Sequence, residues 1–155
     1  MNDELVKRIN NLQRQVDGLI KPEVGRWVDW TPTVTQLGAV TVTVVRARYT
    51  VNNDTVHMYV ELSATGAGTG ANAITIGGIP STILPQIVTG GDIAPLGTAT
   101  VVDQGTQTYY GFLVASTTTA WHIADSNTRG LIGVNPNFAL ANTDSILFKA
   151  TYERI

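Results

Sequence analysis

The side chains that could do chemistry are few and scattered. Two histidines, His57 and His122, lack a third ligand at the spacing a metal site uses, and there is no cysteine. That absence removes disulfide frameworks, thiolate zinc sites, iron–sulfur clusters and cysteine nucleophiles together, and leaves the redox compartment open. Carboxylates outside the first 26 residues stand at Asp29, Asp54, Glu61, Asp92, Asp103, Asp125, Asp144 and Glu153, mostly beside turns. Nothing in the sequence pairs any two of them at the separation that glycoside hydrolysis requires. No Gly-x-Ser-x-Gly elbow offers a serine nucleophile. The run Thr65-Gly66-Ala67-Gly68-Thr69-Gly70-Ala71 is rich in glycine, yet no Lys-Ser or Lys-Thr follows it. Its spacing is not the dinucleotide fingerprint, and no helix is predicted after it whose N-terminus could hold a phosphate. A flexible connection between strands is the expectation there. These residues together predict a protein that is not an enzyme and that needs neither a metal nor a cofactor.

Binding is better furnished than catalysis. Tyr109-Tyr110 and Trp121-His122 fall in predicted strands, where adjacent side chains point to opposite faces. One aromatic ring beside Asn, Thr and Asp can cover the apolar C–H face of a sugar while amides and carboxylates bind its hydroxyls. Tyr109, Tyr110 and Trp121 are therefore candidate glycan contacts, although an ordinary β surface or a subunit interface has the same composition. His57, Tyr59 and Glu61 alternate along one strand face and read as a polar outer surface or a subunit interface.

Two segments with different periods must position these groups. Leu5, Ile9, Leu12, Val16 and Leu19 are spaced by four, three, four and three, the 3.5-residue period that keeps one seam against a partner helix. Leucine falls at d and a β-branched residue at a, a combination that in isolation favours two strands. Val6 and Ile20 widen the seam at e, which buries more surface in three-stranded packing, so a parallel homotrimer is expected. The segment Arg8-Ile9-Asn10-Asn11-Leu12-Gln13 is similar to a short trimerisation signature of coiled coils, with Gln13 where that signature has Glu. Residues 1–21 are expected to form this coiled-coil helix, ending at Lys21-Pro22 because proline cannot continue the hydrogen-bond ladder. A coil this short is marginal alone, so the domain behind it must share the work of association.

Residues 22–35 read as a linker and first strand, and 36–155 as an antiparallel β-sandwich of jelly-roll type. Trp27 and Trp30 flank Val28-Asp29 and are expected to pack under the rim of that domain. Val40, Val42 and Val44 alternate with threonine, after which Val45, Ala47, Tyr49 and Val51 take over on the other parity. A switch of parity inside one strand predicts a β-bulge. Asn52-Asn53-Asp54 predicts a hairpin turn, since these residues tolerate positive φ. The return strand runs over 55–64 with Val56, Met58, Val60 and Leu62 on one face. Further strands are predicted at 73–76, 98–102, 108–116, 119–123 and 145–153, the last with Ile146, Phe148, Ala150 and Tyr152 inward.

Charge is unevenly distributed. Residues 1–26 hold five basic and four acidic residues, whereas the remaining 129 hold five basic and eight acidic, with 22 threonines. A net charge of −2 provides no electrostatic footprint for nucleic acid or an anionic membrane. No continuous apolar run suggests a secretory signal or a membrane-spanning helix, so synthesis in the cytoplasm is expected. A surface kept polar by hydroxyls and amides suits a particle that must stay soluble outside a cell.

The run Trp30-Thr31-Pro32-Thr33-Val34-Thr35, then Ala47-Arg48-Tyr49-Thr50, Val60-Glu61-Leu62, Ile79-Pro80 and the stretch Asp144-Ser145-Ile146-Leu147-Phe148-Lys149-Ala150-Thr151-Tyr152-Glu153 resemble small virion proteins of tailed bacteriophages. In these a short helix precedes a compact β domain that trimerises. The resemblance implies a virion-surface location among other virion proteins, as a tail fibre or spike head contacting host cell-surface saccharide. The alternative it implies is a capsid decoration or head-fibre protein that stabilises or decorates the shell. It carries over no catalytic residue.

Overall fold

The computed structural model describes residues 4, 6–9, 12, 25–86 and 94–155. Residues 4, 6–9 and 12 are helical, and Val6, Ile9 and Leu12 are exposed. The seam positions Leu5, Val16, Leu19 and Ile20 lie outside the described residues, as does the helix end expected at Pro22.

The rest is β structure. The strands are β1 (Val28–Asp29), β2 (Thr33–Gln36), β3 (Gly38–Val40), β4 (Val42–Asn52), β5 (Thr55–Ala64), β6 (Thr75–Gly77), β7 (Ala94–Asp103), β8 (Gln107–Ala115), β9 (Trp121–Asp125) and β10 (Ser145–Glu153). They form one antiparallel sheet in the order β1-β4-β5-β10-β7-β8-β9-β6-β2-β3. β3 ends that order and β4 stands next to its other end, yet only Thr41 separates them in the chain. The sheet therefore has to curl until its two ends meet at Thr41. There the Thr41 carbonyl accepts from the amides of Thr65 at 2.8 Å and Gly66 at 3.2 Å. The expected sandwich of two separate sheets is thus replaced by one hydrogen-bonded sheet closing over a single core. A run that pairs with a different end of the sheet before and after a bend needs no second sheet.

Alternation fills that core. Val56, Met58, Val60 and Leu62 of β5 and Ile146, Phe148, Ala150 and Tyr152 of β10 all point inward, as their parity predicts. Full burial of a side chain such as Leu62 or Phe148 stabilises by about 1.5–3 kcal/mol. Trp121 of β9 meets Tyr152 of β10 edge-on across the interior, with ring centroids 5.7 Å apart. The parity switch is a bulge: the β4–β5 register shifts between Val44 and Arg46, leaving Val45 exposed. Asn53 takes the positive φ of 54° that turns the hairpin.

Of the boundaries that differ from expectation, two have clear local reasons. β7 begins at Ala94 rather than 98, because the register shift between Pro95 and Gly97 absorbs residues that read as strand breakers. Gly97 is needed there, since a Cβ would run into the Lys149 carbonyl oxygen of β10. β9 begins at Trp121 rather than 119, because the Thr117 hydroxyl accepts from the amides of Thr119 at 3.3 Å and Ala120 at 2.9 Å and holds a turn. The glycine-rich run 65–71 is a fastened loop, not the flexible one expected. Gly68 N donates to Leu140 O at 2.8 Å, and Ala71 N to Asn137 Oδ1 at 2.7 Å. Gly68 lies where a Cβ would strike the Gln36 side chain, so its glycine serves close packing and not a phosphate.

Candidate functional site

The outward residues of five neighbouring strands line up in rows. Cross-strand register places Arg46, Glu61, Leu147, Thr100 and Tyr110 side by side over β4, β5, β10, β7 and β8. The next row is Arg48, Tyr59, Lys149, Thr98 and Phe112. Cβ atoms of directly opposed residues stand about 4.5–5.5 Å apart, so each row is a contact surface rather than a string of separate side chains. Tyr110 and Phe112 are 63% and 49% exposed, an unusual position for two rings on one strand face. Between them and Tyr59 lies an open depression of about 300 Å³ lined by Tyr59, Thr98, Thr100, Leu147, Phe148 and Lys149.

The Tyr59 ring organises the charge on this face. The Arg46 guanidinium carbon lies 5.4 Å from its centroid and the Lys149 ammonium 5.6 Å, both within cation–π range. Its hydroxyl donates to Glu61 Oε2 at 3.4 Å. Further along, Arg48 sits 4.7 Å from the Trp27 ring. Trp27 therefore packs on the outside under an arginine, whereas Trp30 alone takes the buried position expected of both. The main-chain amide of Trp30 bonds to Ala47 O at 3.1 Å and ties β1 to β4.

The three predicted glycan contacts part company. Tyr110 is exposed as required, but Tyr109 is buried against Phe138, with ring centroids 5.3 Å apart. Trp121 has 0% exposure and belongs to the core. Neither buried ring can reach a ligand; the inward curl of the sheet at β8 and β9 put them there. In the Trp121-His122 pair it is the histidine that faces out. Phe112, Tyr59 and Lys149 join Tyr110 instead. Their outward parity was readable from the sequence, but the pairing of β5 with β10 and of β10 with β7 was not.

The remaining titratable candidates have structural partners. His57 Nδ1 lies 3.2 Å from Thr151 Oγ1, and His122 Nδ1 lies 3.2 Å from both Thr75 Oγ1 and Ile74 O. Buried Asp125 accepts from the amides of Asn127 at 3.0 Å and Thr128 at 2.7 Å, closing its own turn. Buried Asp144 accepts from Gln104 N at 3.0 Å and Ala141 N at 2.7 Å. Burial raises the Tyr109 phenol above its ordinary pKa, and the charges of Asp103, Asp125 and Asp144 add to that, so it is not an activated nucleophile. Among the described residues, no group of three or more His, Asp or Glu converges as metal ligands. No helix among them is long and apolar enough to cross a membrane.

Comparison with protein-family models, with curated proteins and with solved structures finds no match for this chain.

Proposed function

We propose that this protein is a structural component of a tailed-bacteriophage particle: a parallel homotrimer held in register by its N-terminal coil, displaying the β domain at the virion surface as a fibre or spike head. The observation that carries this reading is the helix at residues 6–9 and 12. Its seam residues Ile9 and Leu12 are 54% and 60% exposed in the single chain, a cost that partner helices would remove. The face bearing Tyr110 and Phe112 supports saccharide contact, with three copies adding avidity. The sparse charge of the β domain fits a structural role.

Sedimentation of the full chain over a range of concentrations tests the assembly: a trimer is expected, and a monomer throughout would sink the proposal. Imaging of whole particles with an antibody to the β domain tests the placement. Label at the tail supports the receptor-binding role, and label on the shell replaces it with capsid decoration.

A further inference from the structure

Three of the five basic residues beyond residue 26, namely Arg46, Arg48 and Lys149, lie on the same outward face. Of these Lys149 lines the depression, and Arg46 lies against the Tyr59 ring that borders it. Among the described residues neither Arg46 nor Lys149 is held in an ion pair; each rests only on the Tyr59 ring. Glu61 is the nearest acidic group, opposite Arg46 in the register and in contact with the Tyr59 hydroxyl. Asp29 lies opposite Arg48, further from the depression. On the row of Lys149 the acidic residue is Asp29, separated from it by Arg48 and Tyr59, so the Lys149 charge has no acidic group directly opposite it.

We propose that this depression is a saccharide site selective for a sugar carrying a carboxylate. The inference rests on the saccharide-contact part of the proposed function and adds its ligand class. A volume of about 300 Å³ lies at the small end of ligand sites and suits one or two sugar rings. The Tyr59 ring and the Leu147 side chain offer apolar surface for the C–H face of a pyranose. Thr98 and Thr100 offer hydroxyls that both donate and accept, as sugar hydroxyls require. Lys149 supplies the charge for the carboxylate. The ligand is oriented by Glu61, whose own negative charge repels a carboxylate from the Leu147 row and directs it toward Lys149. Phe112, opposite Thr98, extends the apolar surface for a second ring.

The experiment titrates the full chain, in its native assembly, with a short oligogalacturonate and with a neutral galacto-oligosaccharide of equal length, read by NMR and calorimetry. At low salt the acidic ligand is expected to bind at least about tenfold tighter, a preference that shrinks toward physiological ionic strength as the charges are screened. Lys149→Gln should abolish most of that preference, bringing the affinity for the acidic ligand down to within about threefold of that for the neutral one. Phe112→Ala should weaken both ligands. Equal affinity for the two sugars, unaltered by Lys149→Gln, overturns the acidic class and leaves saccharide binding in place. Failure of both to bind a chain that sediments as a trimer overturns the site but not the structural role. If Tyr110→Asp with Phe112→Asp dissociates the trimer, the face is an interface between copies and the proposal falls.

Discussion

Gln36 Nε2 donates a hydrogen bond of 2.6 Å to the backbone carbonyl of Phe138, 102 residues further along the chain. The same amide group donates to Asn72 O at 3.0 Å, and its Oε1 accepts from Leu140 N at 2.9 Å. One buried side chain at the end of β2 thus fastens two loops to the sheet, one at Asn72 and one at Phe138 and Leu140. Each buried backbone group that loses such a partner costs about 1–3 kcal/mol, and the losses overlap when neighbouring groups relax together. Gln36→Leu is therefore expected to lower stability by about 3 kcal/mol. Chemical denaturation would measure the loss, and hydrogen exchange should locate it first at the Leu140 amide.

The buried phenol of Tyr152 donates to Ile83 O at 2.8 Å. Burial, and then the nearby Tyr49, hold its pKa well above the ordinary phenol value of about 10. The unfolded phenol ionises at ordinary alkaline pH while the folded one keeps its proton, so the unfolded state binds fewer protons there. Stability is then unaffected below that range and falls as pH rises above about 10. Tyr152→Phe should cost about 1 kcal/mol at neutral pH through the lost hydrogen bond. It should also make the alkaline decline shallower, which melting curves taken across the alkaline range would show.

Trp121 and Tyr110 were equal candidates by composition and have opposite surroundings. Trp121→Ala removes a fully buried ring from the centre of the core and is expected to cost about 3–5 kcal/mol. Tyr110→Ala alters an exposed ring and should change stability by no more than about 0.5 kcal/mol. Equilibrium unfolding of the two variants side by side checks the assignment; a comparable loss in both would refute it.

Leu37, in the turn between β2 and β3, has φ of 67° and is 77% exposed. An L-residue in this left-handed region bears a backbone strain of roughly 1–2 kcal/mol, which asparagine partly avoids. Leu37→Asn should raise stability by about 0.5–1 kcal/mol. A rise in melting temperature without any change in the spectrum of the folded state is the expected result.

The sequence alone determined the local geometry. The parity of β4, β5 and β10, the bulge near Val45 and the turn at Asn53 follow from side-chain alternation and from which residues accept positive φ. Both are short-range properties, written within a few neighbouring residues. Only the tertiary structure decided which strands lie side by side, because a pairing such as Phe148 with Val60 and Ala99 leaves no mark in the intervening sequence. That order, and the curl that closes at Thr41, chose the inner face at β8 and β9. They buried Trp121, left Tyr110 outside, and gathered Tyr59, Lys149 and Phe112 from three distant strands onto one surface.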